Sequence, residues 1–276
     1  MRLCYLMAVH KSDSPDLFKS ALESITFHQT VKPDQVVLVK DGPLGIKLER
    51  IISNINFDSL HVVSTKKSGG LAKALNFGLN YVDCDWIARM DSDDFSLPNR
   101  TETILQKISR YDLDFFGFQI IEKYSNGTDL KRETPLSSEK ICQYFYFSNP
   151  FNHVTMVMKK DFIVDVDPPV YPIVDRFEDY ALWGKLISLS SQRNYRNFQE
   201  VTVLVTADEG YIERRNGISY ALKEYQFRKY IYNLNYFNPA ILFIAGMLRI
   251  IMHLMPFKSF KKRLYKINRR KNHGNK

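Results

Sequence analysis

From residue 2 to residue 90, short apolar runs alternate with amphipathic stretches. "RLCYLMAVH" (2–10), "DQVVLVKDG" (34–42), "LHVVST" (60–65) and "DWIARM" (85–90) read as strands, being brief and rich in β-branched or aromatic residues. Between the first two, "SPDLFKSALESITFHQ" puts Leu17, Ala21, Leu22 and Ile25 on one helical stripe, with Ser14 at the N-cap and Pro15 in the first turn. "LGIKLERIISNI" and "GLAKALNFGLNYV" read as the second and third helices. Strand–helix alternation of this kind predicts βαβ units and a mostly parallel sheet, an α/β fold. Such sheets bind ligands at the carboxyl ends of their strands. Asp41 ends the second strand, Lys66 to Gly70 follow the third, and Asp91 to Asp94 follow the fourth, so all three groups fall on one rim.

The segment "ARMDSDDFSLPNR" crowds Asp91, Asp93 and Asp94 together. Repelling carboxylates suit a hard divalent cation with oxygen ligands, or else form a solvated loop capping the helix that begins near Leu97 and Pro98. The calcium-loop pattern fails, since Phe95 and Ser96 stand where it needs Asp or Asn and then Gly. Asp41 before Gly42 also suits an ordinary turn. "RFEDYALW" sets Glu178 and Asp179 at the start of a helical pattern running through Ala181, Leu182, Leu186 and Leu189, where acids complement the helix dipole. Trp183, one turn on, is either core or a stacking platform. His153, in "NPFNHVTMVMKK", reads by itself as a hydrogen-bonded structural residue. Arg214 and Arg215, in "IERRNG", form a basic pair of an ordinary surface kind. No Ser-His-Asp elbow, P-loop or G-x-G-x-x-G occurs.

Five blocks in order, "PDLFKSALESITFHQTVKPDQVVLVKDGP", "GLAKALNFGL", "IARMDSDDFSLPNR", "NPFNHVTMVMKK" and "FEDYALW", resemble the family 2 glycosyltransferases of GT-A fold that build bacterial surface polysaccharides. The resemblance spans residues 3 to 220. It implies an inverting, metal-dependent transfer of a sugar from a nucleotide donor, UDP favoured, to a glycan acceptor that is lipid-linked. It implies Mn²⁺ or Mg²⁺ on Asp91 and Asp93, with Asp91 also facing the diphosphate. Asp41 would accept hydrogen bonds from the base, while Lys73, the "KKSGG" loop, Arg214 and Arg215 would approach the diphosphate. Asp179 would be the general base, Glu178 its neighbour at the acceptor, and His153 and Trp183 acceptor contacts. The chain departs from the family where Ser68-Gly69-Gly70 replaces the frequent Asn-Arg-Gly, and where the first strand ends "AVH" and not with an aromatic-Asn pair.

Composition changes the picture at the C-terminal end. The 276 residues are 45% hydrophobic and 25% charged, as in ordinary globular chains. Residues 257–276 hold nine Lys or Arg and no acid, equal to the whole excess of 39 basic over 30 acidic residues. The body is neutral, which argues against a nucleic-acid surface. Just before this tail, "AILFIAGMLRIIMHLM" would make a helix of about 24 Å, shorter than the roughly 30 Å hydrocarbon core. Gly246, Arg249 and His253 share one face of it. This predicts an amphipathic helix lying on an anionic membrane surface with the basic tail on lipid. The alternative packs Leu242, Met247 and Ile250 against the catalytic domain. The expected division is a catalytic domain over 1–225 and a membrane-associating segment over 226–276. Three scattered cysteines without C-x-x-C spacing suit a reducing compartment, and the apolar N-terminus is too brief for a signal peptide. The expected location is cytoplasmic, at the inner face of the cell membrane. Two rival readings remain: a sugar-nucleotidyltransferase, whose Gly-rich N-terminal loop "AVHKSDSPD" lacks, and a catalytically silent membrane-bound assembly partner, against which Asp91, Asp93 and Asp179 count.

Overall fold

Parallel pairing of four strands, three of them buried and the fourth at the edge, builds the rim that the sequence predicts. The computed structural model describes residues 1–190, 192, 194–207, 215–255 and 269–271. Strand β1 (Leu3–His10) lies between β2 (Gln35–Asp41) and β4 (Trp86–Met90), and β3 (Leu60–Ser64) flanks β2, all parallel. Opposite His10 stands Asp41, and opposite Leu6 stands Arg89, so the carboxyl ends come together. Helices α1 (Pro15–Ile25), α2 (Ile46–Asn54) and α3 (Leu71–Leu79) make the crossovers.

Alternating side chains of β1 feed two cores. Leu3, Tyr5, Met7 and Val9 pack with α1 and with Ile104 and Ile108 of α4 (Arg100–Arg110). Cys4, Leu6 and Ala8 pack with α3 and with α7 (Glu178–Leu189). The result is a three-layer α/β/α arrangement. Gly78 lets α3 approach the sheet, since a Cβ there would stand 2.5 Å from Val39 and 2.7 Å from Leu6. The stripe of α1 is Phe18, Ala21, Leu22 and Ile25, whereas Leu17 is exposed, a shift of one residue from the predicted face. Ser14 holds the N-cap position without a side-chain capping bond.

The second half is mostly antiparallel. After β5 (Phe95–Ser96) come β6 (Phe115–Tyr124), β7 (Asp129–Arg132), α5 (Ser138–Phe145), a 3-10 turn (His153–Thr155), β8 (Val157–Lys159) and α6 (Lys160–Val164). Then follow α7, β9 (Tyr195–Ala207), α8 (Ile218–Asn233), α9 (Pro239–Leu254) and β10 (Arg269–Lys271). The sheet order is β10-β7-β6-β8-β4-β1-β2-β3, with β9 beside β6 and β5. Strand β8 is antiparallel to both β4 and β6 and joins the two halves.

Two C-terminal expectations need correction. A boundary at residue 225 would fall inside α8, whose Phe227 and Ile231 share the core of α7, and Phe237 beyond it stacks on Phe145 at 4.5 Å. Helix α9 lies with its polar stripe inward. Leu242 and Ala245 are buried, Gly246 sits against the Arg228 stem, and His253 reaches Glu224 at 3.3 Å and the Arg215 carbonyl at 2.9 Å. Burial opposes the charge on Glu224, but His253, Arg249 and Arg228 outweigh it and hold the carboxyl below its ordinary range. The outward face is therefore apolar, with Phe243 69% and Ile244 57% exposed and Met247, Leu248, Ile251 and Leu254 beside them. Met247 is thus not a domain contact. No helix among the described residues is long and apolar enough to cross a membrane. Most of the basic tail lies outside the described residues. Arg269 is placed on β10, where its guanidinium pairs with Glu122 at 2.7 Å, so this charge is spent on the sheet edge and not offered to lipid.

Candidate active site

The aspartate loop is held at both ends by the elements around it. Asp13, just beyond β1, accepts from the His10 amide at 2.9 Å and from the Ser92 hydroxyl at 2.7 Å. On the other side Asp94, buried, accepts from the Thr206 amide at 2.9 Å, and the Thr206 hydroxyl donates to the Asp93 carbonyl at 2.6 Å. Asp94 is thus the anchor of the loop to the end of β9. Asp91 is ion-paired to the Arg89 guanidinium. Burial, then the charges of Asp91 and Asp13, push the Asp93 carboxyl up to about 6. A cation beside Asp91 and Asp93 would offset that repulsion, and the all-oxygen donor set suits Mg²⁺ or Mn²⁺. The described residues contain no group of three or more His, Cys, Asp or Glu arranged to hold an ion unaided. The two carboxylates therefore fit an ion whose remaining ligands come from phosphate and water, the usual habit of Mg²⁺.

Asp41 does not present an open carboxylate. It is buried, and accepts from the Gly69 amide at 2.8 Å, the Gly70 amide at 3.0 Å and the Ser68 hydroxyl at 3.0 Å. Its observed work is to fold the "KKSGG" loop back over the end of β2, which corrects the expectation of a group reserved for the base. Gly42 makes room for this: its φ is +81°, and a Cβ would stand 2.5 Å from the Ser68 nitrogen. Lys73 is exposed on the first turns of α3, its stem against Gly69, and so lies on the expected rim. Arg214 lies outside the described residues. Arg215 is exposed, with its carbonyl bound to α9 through His253.

Across the site, Asp179 sits in the first turn of α7 and accepts from the Asn149 side-chain amide at 2.7 Å. Arg176, two residues before the helix, has φ of 67°, an uncommon conformation for a non-glycine residue. Burial and the adjacent Asp179 charge push the Glu178 carboxyl up to about 7. Trp183 is fully buried and packs on Phe151 at 5.4 Å and His153 at 6.0 Å, so it offers no open face for sugar stacking, contrary to the platform reading. His153 lies beside Tyr171 at 5.8 Å. Burial, then Arg89, lower the His153 pKa to about 4 and leave its ring neutral near neutral pH.

Sequence reasoning missed Arg89, Asn149 and Tyr171. Arg89 was open to discovery, as a charge inside an apolar strand just before the aspartates. Asn149 gave only the weaker signal of an Asn-Pro turn, and Tyr171 gave none.

Comparison with known proteins bears on this geometry. The family model described as glycosyl transferase family 2 matches residues 7–167. The chain is 34% identical over 265 residues to the UDP-Gal:alpha-D-GlcNAc-diphosphoundecaprenol beta-1,3-galactosyltransferase of Escherichia coli, covering 95% of this chain and 94% of that protein. It is 31% identical over 259 residues to the amylovoran biosynthesis glycosyltransferase AmsE of Erwinia amylovora, covering 92% and 94%. Among solved structures, S. aureus TarS 1–349 in complex with UDP-GlcNAc superposes with a TM-score of 0.66 at 17% identity, covering 97% of this chain and 79% of that one. That likeness carries the GT-A fold. With its aspartate rim, its parallel N-terminal sheet and these relatives, the chain belongs to glycosyl transferase family 2.

Proposed function

We propose that this glycosyltransferase moves a sugar from a UDP-sugar to a lipid-linked glycan acceptor in surface polysaccharide synthesis, with inversion at the anomeric carbon. The observation that carries the reading is the pairing of two acidic stations, Asp91 and Asp93 on one side and Asn149-oriented Asp179 on the other. Both Asp91 and Asp179 act electrostatically on His153 and Tyr171, which supports placing the two stations around the same ring pair. The donor's reacting carbon fits between them. Asp179 takes the proton of the acceptor hydroxyl as its oxygen bonds to the anomeric carbon, and the bond to the diphosphate oxygen breaks on the opposite face. Asp91 and Asp93 would hold Mn²⁺ or Mg²⁺, which when bound would supply positive charge to offset that developing on the diphosphate. The "KKSGG" loop, closed by Asp41, brings Lys73 and the α3 N-terminus toward the same phosphates.

A lipid-linked acceptor is supported by the E. coli relative, whose name specifies a diphosphoundecaprenol substrate. A seat at the inner face of the cell membrane is supported by the apolar outer face of α9 and by the basic segment that follows it.

The test is transfer by the full chain from UDP-galactose, UDP-glucose or UDP-GlcNAc to GlcNAc-diphosphate-lipid. Product is expected to require Mn²⁺ or Mg²⁺, to vanish with EDTA, and to carry the inverted anomeric configuration by NMR. Undiminished transfer in EDTA overturns the metal assignment, and retention of configuration overturns Asp179 as base.

A further inference from the structure

Four side chains between the two acidic stations carry enclosed polar atoms that no protein group satisfies. They are Arg89 (Nε and Nη1), His153 (Nε2), Tyr171 (the hydroxyl) and Trp183 (Nε1). Arg89, Tyr171 and Trp183 are at most 1% exposed. Buried polar groups are nearly always hydrogen-bonded, because leaving one unpaired costs about 1–3 kcal/mol. Four such residues in one place mark a cluster shaped for something besides protein.

Their positions are enforced. Tyr171 is gripped through its backbone by Asn76 of α3, which donates to its carbonyl and accepts from its amide, both at 2.8 Å. Its ring meets the imidazole of His153, and that imidazole meets the indole of Trp183. Arg89 is steered by its ion pair with Asp91 and extends from β4 toward the same ring pair, whose electrostatics it dominates among the charges. The cluster offers donors from guanidinium, indole and phenol, together with a ring nitrogen and a phenolic oxygen that can each donate or accept a hydrogen bond. It contains no unpaired acid. A ligand rich in hydroxyl groups, each both donor and acceptor, matches it.

We infer that Arg89, His153, Tyr171 and Trp183 read the hydroxyl groups of the transferred sugar and so set donor specificity. This rests on the proposed transfer. In that reaction the group lying between the diphosphate at Asp91 and the acceptor hydroxyl at Asp179 is the sugar ring. His153 and Trp183 are thereby assigned to the donor and not to the acceptor.

The test separates sugar from nucleotide. UDP and the three UDP-sugars named above are titrated calorimetrically, with Mn²⁺, into the wild-type chain and into Tyr171→Phe and Trp183→Phe. Removing one reading group, the Tyr171 hydroxyl or the Trp183 indole N–H, is expected to weaken the best UDP-sugar about fivefold to tenfold, the worth of one hydrogen bond, while UDP itself changes less than about twofold. Tyr171→Phe is also expected to keep or raise Tm, since it removes an unsatisfied hydroxyl. Equal weakening of UDP and UDP-sugar in both variants would place the cluster at the nucleotide and overturn the inference. So would unchanged sugar affinity with a lowered Tm, the signature of a buried water bound only for structure. A wild-type chain that binds UDP but no UDP-sugar overturns the inference alone, whereas one that binds neither overturns the proposed transfer as well.

Discussion

Asn149 donates its side-chain amide to the carboxylate of Asp179 at 2.7 Å, while its own side-chain oxygen accepts from the Phe151 amide at 3.2 Å. The amide is thus fixed by the loop that carries it, and it fixes in turn the oxygen that would meet the acceptor. An orientation supplied this way leaves the other carboxylate oxygen to the Tyr180 amide at 2.7 Å.

From this relationship, Asp179→Asn is expected to lower kcat by about 10²-fold to 10⁴-fold, the usual worth of a general base, with donor affinity retained. Asn149→Ala keeps the base but frees its rotation, and is expected to cost about tenfold in kcat with little change in KM for the donor. Single-turnover kinetics read both. Near-normal kcat in Asp179→Asn would shift the base to Glu178.

Glu178 gives a pH signature. Its folded pKa of about 7 lies above its ordinary 4.5, so the folded state holds the proton more tightly than the unfolded chain. Its contribution to stability is full below 4.5 and is lost as pH rises through 7. Glu178→Gln, which cannot ionise, is expected to match the wild-type Tm near pH 4.5 and exceed it at pH 8. Tm curves of the two proteins that stay parallel across that range would show that Glu178 is not held protonated.

Asp41→Ala would strip three donors of their acceptor, the Gly69 and Gly70 amides and the Ser68 hydroxyl. The expected cost is about 1–3 kcal/mol of stability, together with weaker UDP binding, because the loop before α3 loses its closed form. Asp41→Asn retains one oxygen and is expected to fall between. Denaturant unfolding and UDP titration decide the matter. Weakened UDP binding in Asp41→Asn at wild-type stability would return Asp41 to the nucleotide base.

Helix α9 separates two effects by face. Replacing outward Phe243, Ile244 and Met247 with serine is expected to abolish cosedimentation with anionic vesicles while leaving Tm within a degree or so. Leu242→Ala, on the inner face, is expected to destabilise by about 2–5 kcal/mol and to leave vesicle binding alone. If the triple serine variant still binds vesicles, the helix is not the seat.

Local periodicity carried the first half of the fold. The predicted strands at 2–10, 34–42, 60–65 and 85–90 each contain an observed one, and the rim follows from their parallel order. The second half depends on pairings between distant segments, such as β8 inserted between β4 and β6, which no local pattern encodes. The same limit explains α9. Spacing grouped Gly246, Arg249 and His253 on one face, but only the presence of Glu224 on α8 decides that this face turns inward. At the site, Asp91, Asp93 and Asp179 stood out as acids in telling places, whereas the burial of Trp183 and the engagement of Asp41 depend on neighbours far away in sequence.

Helix α3 begins at the loop that Asp41 closes, and Asn76, in its second turn, grips Tyr171. At 1.5 Å per residue, the six steps from Gly70 to Asn76 make a rod of about 9 Å. Under the proposed transfer, that rod would be a ruler laid between the loop facing the phosphates and the side chains facing the sugar. Inserting a single residue into it would turn Asn76 by about 100° about the helix axis and release Tyr171, although the loop closed by Asp41 had not changed. On that reading the spacing between the two ends of the donor is written in helical turns, and a relative that handles a donor of different reach would be expected to differ here in length before it differs in chemistry.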